Sequence, residues 1–213
     1  MDVFEIQKFK KGKSREQIKV IDYFTQQGIC ATFGLLKDGE YRELVRKRRK
    51  ALKLTTPQKA LDKLGIDESQ VTEIPAVRLE GFVLPKAFTK KTAAGKLVTS
   101  RYEVAWLFFS STQLYLYSMS FNMDEDKKHE STQEFFYKDI TALATTTKTF
   151  SSDGDTSERV KTATKERVEV ETLVFQITVP GEKLTLALDE DEVPERERIV
   201  QAMKHKLREK KSS

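Results

Sequence analysis

Cysteine is almost missing from this chain: Cys30 is the only one in 213 residues. A single thiol closes no intramolecular disulfide and assembles no cysteine-based zinc site, and this usage fits a reducing compartment. In its apolar run Cys30 reads as a small core residue rather than a nucleophile. Histidine is nearly as scarce. His129 lies between Lys128 and Glu130, and His205 among basic residues near the C-terminus, so neither converges with other groups on a metal or acid–base centre. Long apolar runs are lacking too: none approaches the ~18 residues that a bilayer crossing needs. The opening MDVFEIQKFKKGK carries no apolar signal-peptide core. No phosphate-cradling glycine loop, hydrolase elbow or kinase signature occurs. The expectation is a cytoplasmic protein without enzymatic activity, cofactor or metal.

What is abundant is charge. Charged residues make up 33% of the chain against 38% hydrophobic, a balance that suits a globular protein with a heavily charged surface. The net charge of +5 is uneven: residues 1–78 carry 17 Lys and Arg against 11 Asp and Glu, whereas residues 79–213 carry 21 against 22. All of the excess lies in the N-terminal third, which marks a candidate surface for an anionic partner.

That third has a helical period. Ser14 opens a pattern with Ile18, Ile21 and Phe24 on one face and Gly28 at the position of a left-handed cap, which predicts a helix over 14–27. The run Ile29 to Leu36 is apolar on every side, and its period does not separate strand from helix. Tyr41, Leu44, Val45, Arg48 and Leu52 then recur at amphipathic spacing, giving a second helix to about Leu54. A third starts at Pro57 and stops at Gly65, with Ala60, Leu61 and Leu64 inward.

From Ala76 the period becomes that of strands, so the chain divides into a helical region, 1–75, and a β-rich region, 76–213. The richest stretch, Tyr102 to Phe121, has two aromatic and β-branched runs split by Ser-Ser-Thr-Gln and reads as a hairpin. Other strands are expected at Val77 to Leu84, Gln133 to Ile140, Ala142 to Phe150, a long run ending at Val179, and Leu184 to Leu188. The inward parity changes between Val168, Val170 and Leu173, Phe175, which calls for a bulge near Glu171. The end is a helix over about 194–210 with Ile199, Val200, Met203 and Leu207 on one stripe; acids crowd its start and bases its finish, matching the helix dipole.

Seven strands followed by one amphipathic helix resembles the pleckstrin-homology-like (PH-like) barrel over Ala76 to Ser213. The residues carrying the resemblance are Ala105 to Phe109 with Leu114 to Tyr117, Glu134 to Ile140, and Ile199 to Lys204. The stretch Lys59 to Phe82 and the FFSSTQ and FNMDED segments are similar to an uncharacterised bacterial group with this barrel. The resemblance implies an α+β fold: a helical N-terminal region followed by a seven-stranded barrel or sandwich, capped by the C-terminal helix. It also implies a binding module for a protein, peptide or membrane surface. Phosphoinositide-binding members carry basic residues after their first strand and a Lys-x-Arg-type pattern on the second. This chain has Lys86, Lys90, Lys91, Lys96 and Arg101 in that loop, but continues Tyr102-Glu103-Val104-Ala105, which argues against a phosphoinositide ligand.

Two candidate surfaces follow. Arg46, Lys47, Arg48, Arg49, Lys50 and Lys53 put six cations on one helix with no acid between them, a pattern that fits phosphates of nucleic acid or anionic lipid; Lys90, Lys91, Lys96 and Arg101 extend the set. Both faces of the 102–121 hairpin are apolar, so one must be covered by the N-terminal helices or offer Leu107, Phe109, Tyr115 and Tyr117 to a protein partner. Asp124, Glu125 and Asp126, and Asp153 with Asp155, lack a calcium-loop pattern and read as solvated acidic loops.

Overall fold

A computed structural model describes residues 3–25, 36–84, 87–151, 169–188 and 193–212. Gly28, the apolar run with Cys30, Lys86, Asp153, Asp155, Val168 and the acids 189–192 lie outside the described residues, as does the side chain of Ile199.

Four helices come first. α1 is Val3–Lys10, which the sequence pattern did not indicate, and α2 is Arg15–Thr25. Ser14 starts α2 through a reciprocal capping box: the Gln17 N–H donates to Ser14 Oγ at 3.2 Å, and the Ser14 N–H to Gln17 Oε1 at 2.8 Å. α3 is Asp38–Ala51, opened by the Lys37 N–H on Glu40 Oε2 at 2.8 Å. α4, Gln58–Leu64, stops at Gly65, whose φ of 67° is the left-handed cap that glycine adopts without a Cβ clash.

Nine strands and α5 follow among the described residues. β1 is Ile74–Phe82, β2 Thr89–Lys91, β3 Leu97–Thr99, β4 Arg101–Phe109, β5 Gln113–Asn122, β6 Lys128–Phe136, β7 Ala142–Ser151, β8 Glu169–Val179, β9 Glu182–Ala187, and α5 Val193–Ser212. They form a four-stranded sheet β1-β4-β5-β6, a three-stranded sheet β7-β8-β9 and the small hairpin β2-β3, all antiparallel. The class is α+β. Among the described residues the ladders do not close a barrel: β1 lies beside β9 without pairing, and β6 and β7 pair only with β5 and β8.

Three local expectations are corrected. The basic loop around Lys90 to Lys96 contains the β2-β3 hairpin, turning at Gly95 with a φ of 80°. The strand placed at Gln133 to Ile140 lies earlier, because β6 pairs with β5 from Lys128 onward and then breaks into a single 3-10 turn, Tyr137–Asp139. That break sends Tyr137 inward, where its hydroxyl donates to the Ser110 carbonyl at 2.8 Å. No bulge interrupts Glu171: the β7-β8 register runs unbroken from Ala142 opposite Thr178 to Ser151 opposite Glu169. The register shift falls instead in β1 between Ile74 and Val77, around Pro75, which has no N–H for the ladder.

The central strands of the four-stranded sheet, β4 and β5, are buried on both faces, whereas the edge strand β6 is largely exposed. Val104, Trp106 and Phe108 of β4 and Tyr117, Met119 and Phe121 of β5 pack with Val20, Ile21, Tyr41, Val45 and Leu61 of the helices. Ala105, Leu107 and Phe109, with Leu114 and Leu116, face Phe175, Ile177 and Leu186 of the second sheet and Val200, Met203 and Leu207 of α5. Strand alternation therefore sends neighbouring residues of one chain into two separate cores.

Candidate anion-binding surface

α3 places the basic run. Tyr41 and Val45 are buried against the sheet, which turns Arg46, Lys47 and Lys50 outward, Lys50 lying one turn on from both Arg46 (i+4) and Lys47 (i+3). Lys53 follows the helix end in a left-handed conformation, φ 57°, and is exposed. Lys47, Lys50 and Lys53 have no ion-pair partner among the described residues; Arg46 meets Glu43 at 3.3 Å on the surface. The other two arginines are turned to structural work. Arg48 reaches Asp126 at 3.6 Å, and Arg49 pairs with the buried Glu80 of β1. Six cations in sequence thus become four outward charges, one surface pair with Asp126 and one internal strut on Glu80.

The remaining predicted cations lie elsewhere. The β2-β3 hairpin sits by the opposite end of α3, where Asp38 accepts from the Tyr23 hydroxyl at 2.7 Å and the Ala93 N–H at 2.9 Å. Lys90 is 3.8 Å from Asp38 and lies 3.9 Å over the Tyr23 ring, Lys91 is exposed, and Lys96 is half-buried. α3 spans 14 residues, ~20 Å at 1.5 Å per residue, so these lysines and the Arg46 to Lys53 cluster are not one patch. Arg101 is on the other side of the sheet, donating to Ser120 Oγ at 2.8 Å.

The four residues considered for protein docking are interior and do not share a face. Leu107 stands opposite Leu116 and packs toward the second sheet with Phe109, whereas Tyr117 stands opposite Trp106 and packs toward the helices with Tyr115. Only Tyr115 is half-buried; the other three are fully enclosed. The helices therefore occupy the outer hairpin face. Tyr117 donates its hydroxyl to Glu130 at 2.6 Å, and Lys59 and Lys63 flank that carboxylate at 3.4 and 3.3 Å. The Tyr117 hydrogen bond, helped by both lysines, holds the Glu130 carboxyl below its ordinary range.

Two carboxyl groups depart from the sequence reading. Asp124, read as part of a solvated loop, is buried; burial pushes its carboxyl up, and Oδ1 has no hydrogen-bond partner among the described residues. Glu125 is taken by Asn122 at 2.8 Å and Lys127 at 3.3 Å, and Asp126 by Arg48. Glu103 was not singled out. It faces the space between the two sheets, accepts the Ala187 N–H at 3.4 Å, and is raised by burial against the attraction of Arg101 and His129. Its signal in sequence was parity: Arg101 and Glu103 are charged at positions that continue the inward set of Ala105, Leu107 and Phe109. Among the described residues no group of His, Cys, Asp and Glu is arranged to hold a metal ion, and no helix is long and apolar enough to cross a membrane. No family model, curated protein or solved structure matches the chain.

Proposed function

We propose that this chain is a non-enzymatic PH-like binding module for a protein, peptide or membrane surface, and that its contact face is the outward side of α3. The PH-like reading is supported by the division of the larger sheets into four and three antiparallel strands, with α5 docked after the last. The carrying observation is the outward cluster of Arg46, Lys47, Lys50 and Lys53, on a helix whose inner face is committed to the core. At about 1 kcal/mol per cation near an anionic surface, four charges supply about 4 kcal/mol, a millimolar affinity on their own. Such contact is weak and steeply salt-dependent.

Binding to phosphatidylserine vesicles, to a polyglutamate peptide and to duplex DNA or RNA, each between low and physiological salt, tests the proposal. Binding at low salt that disappears in Arg46→Glu/Lys47→Glu/Lys50→Glu supports α3 as the face. Arg49 is left unchanged, because it holds Glu80. Capture of nucleic acid alone, with salt slopes set by the phosphates neutralised, would replace the module with a nucleic-acid-binding protein using the same helix. Failure of every probe at low salt refutes both.

A further inference from the structure

Glu80 sits near the C-terminal end of β1 at 3% exposure and serves two arginines. Arg49 comes down from α3 onto one carboxylate oxygen, and Arg78, on the same strand face two residues earlier, brings Nε to 3.4 Å from the other. Arg78 is fixed further by donating Nη1 to the Thr55 carbonyl at 3.3 Å and by lying 5.8 Å over the Trp106 ring. One carboxylate balances one guanidinium, so this seam keeps one positive charge uncompensated. Arg49 Nε is buried and has no hydrogen-bond partner among the described residues. The arginine side chains are 17% and 30% exposed, so both reach solvent above the carboxylate they share. Lys53 is exposed just beyond the helix end, four residues after Arg49.

We infer that the seam between the C-terminal turns of α3 and β1 is a seat for a phosphate-type oxyanion, gripped by Arg49 and Arg78 with Lys53 at the rim. Glu80 is the positioning residue: by binding both guanidiniums it sets them side by side and stiffens them. Paired guanidinium forks match the oxygens of a tetrahedral anion better than ammonium groups do. The seat goes beyond the outward face of α3, since Arg46, Lys47 and Lys50 take no part in it.

Titration of the whole chain with sodium phosphate, against sodium chloride at equal ionic strength, tests the seat. It is followed by calorimetry and by the emission of Trp106, the only tryptophan. Parallel arms use phosphatidylcholine vesicles with and without phosphatidic acid, which separate a lipid headgroup from a free phosphate. A saturable response specific to phosphate or phosphatidic acid is expected, about tenfold weaker in Arg78→Lys and about threefold weaker in Lys53→Asn. Arg78→Lys keeps a cation on Glu80 but removes the fork, and asparagine tolerates the left-handed backbone at position 53. Equal responses to phosphate and chloride, with none to phosphatidic acid, overturn the inference. So does parental affinity in Lys53→Asn together with a folded Arg78→Lys.

Discussion

Replacing Arg49 by alanine removes its pairing with Glu80, and the cost follows from what stays behind. Glu80 is 3% exposed, so solvent does not take the place of the lost partner, and the carboxylate is left with Arg78 on its other oxygen. Breaking a fully buried pair costs about 3–5 kcal/mol. The 17% exposure of Arg49 and the surviving Arg78 contact lower this to about 2–3 kcal/mol. For a chain of this length that is a fall of about 5–10 °C in Tm. Glu80→Gln is milder, about 1–2 kcal/mol, because the stranded cations still touch water and the amide oxygen still accepts. Urea unfolding followed by Trp106 emission on the parent, both single variants and the double variant closes a cycle. A coupling of about 1–2 kcal/mol is expected. If the two changes add within about 0.5 kcal/mol, or Arg49→Ala alone costs less than that, the pair is not a buried strut.

Met203, on the inner face of α5, is fully buried, so Met203→Asp places an unpaired carboxylate in the second core and should cost on the order of 2–4 kcal/mol in urea unfolding; an unchanged midpoint would mean that α5 does not dock. A fragment beginning at Ala76 loses the cover over Trp106, Phe108, Tyr117 and Met119, and should bind an apolar dye or aggregate, whereas a monomeric, dye-silent fragment contradicts the shared core. Burial raises the Asp124 carboxyl above its unfolded value of about 3.9, so the folded state binds the proton more tightly and stability falls as pH rises through that window. Asp124→Asn should flatten this slope and gain on the parent from pH 4 to pH 7 in urea midpoints; a gap that does not change with pH removes the argument. Glu130 works in the opposite sense: its carboxyl is lowered by Tyr117, and its contribution is lost as pH falls below the carboxylate range, which Glu130→Gln should make visible as a shallower acid limb.

Local signals were legible wherever one residue type has one job. Ser14 with Gln17 and Gly65 mark helix ends through their own hydrogen bonds and φ, and the 102–121 hairpin follows from β-branched and aromatic runs around a polar break. α1 was not legible because its pattern is weak: Ile6 is buried but Phe4 is exposed, and two lysines, Lys8 and Lys10, share the short stretch. The β2-β3 hairpin escaped because its strands are three residues long and two of the three residues of β2 are lysines. Within the candidate site, the cationic run was evident while its division was not. Arg49 meets a carboxylate 31 residues away, and only tertiary structure separates a strut from a free charge in six consecutive-looking bases. Grouping Tyr115 and Tyr117 with Leu107 and Phe109 failed for a related reason, since the face a strand residue occupies relative to its neighbour is set by ladder register, here Leu107 against Leu116.

Because the four-stranded sheet is a party wall between two dry rooms, hydrophobicity alone does not fix its pairing. A slip of one residue along β4 would exchange Trp106 and Phe108 for Leu107 and Phe109, oil for oil, without the penalty that protects a sheet with one wet face. What forbids the exchange is shape and a few polar latches. The helix side takes Tyr102, Trp106, Tyr117 and Phe121, with the Trp106 Nε1–H given to the Leu54 carbonyl at 3.3 Å, while the other side takes mainly aliphatic residues. Glu80 with Arg49 and Tyr117 with Glu130 can close only in the correct alignment. These few polar contacts act as a combination lock on register, so changes that barely move the overall stability would be expected to loosen the uniqueness of the fold first.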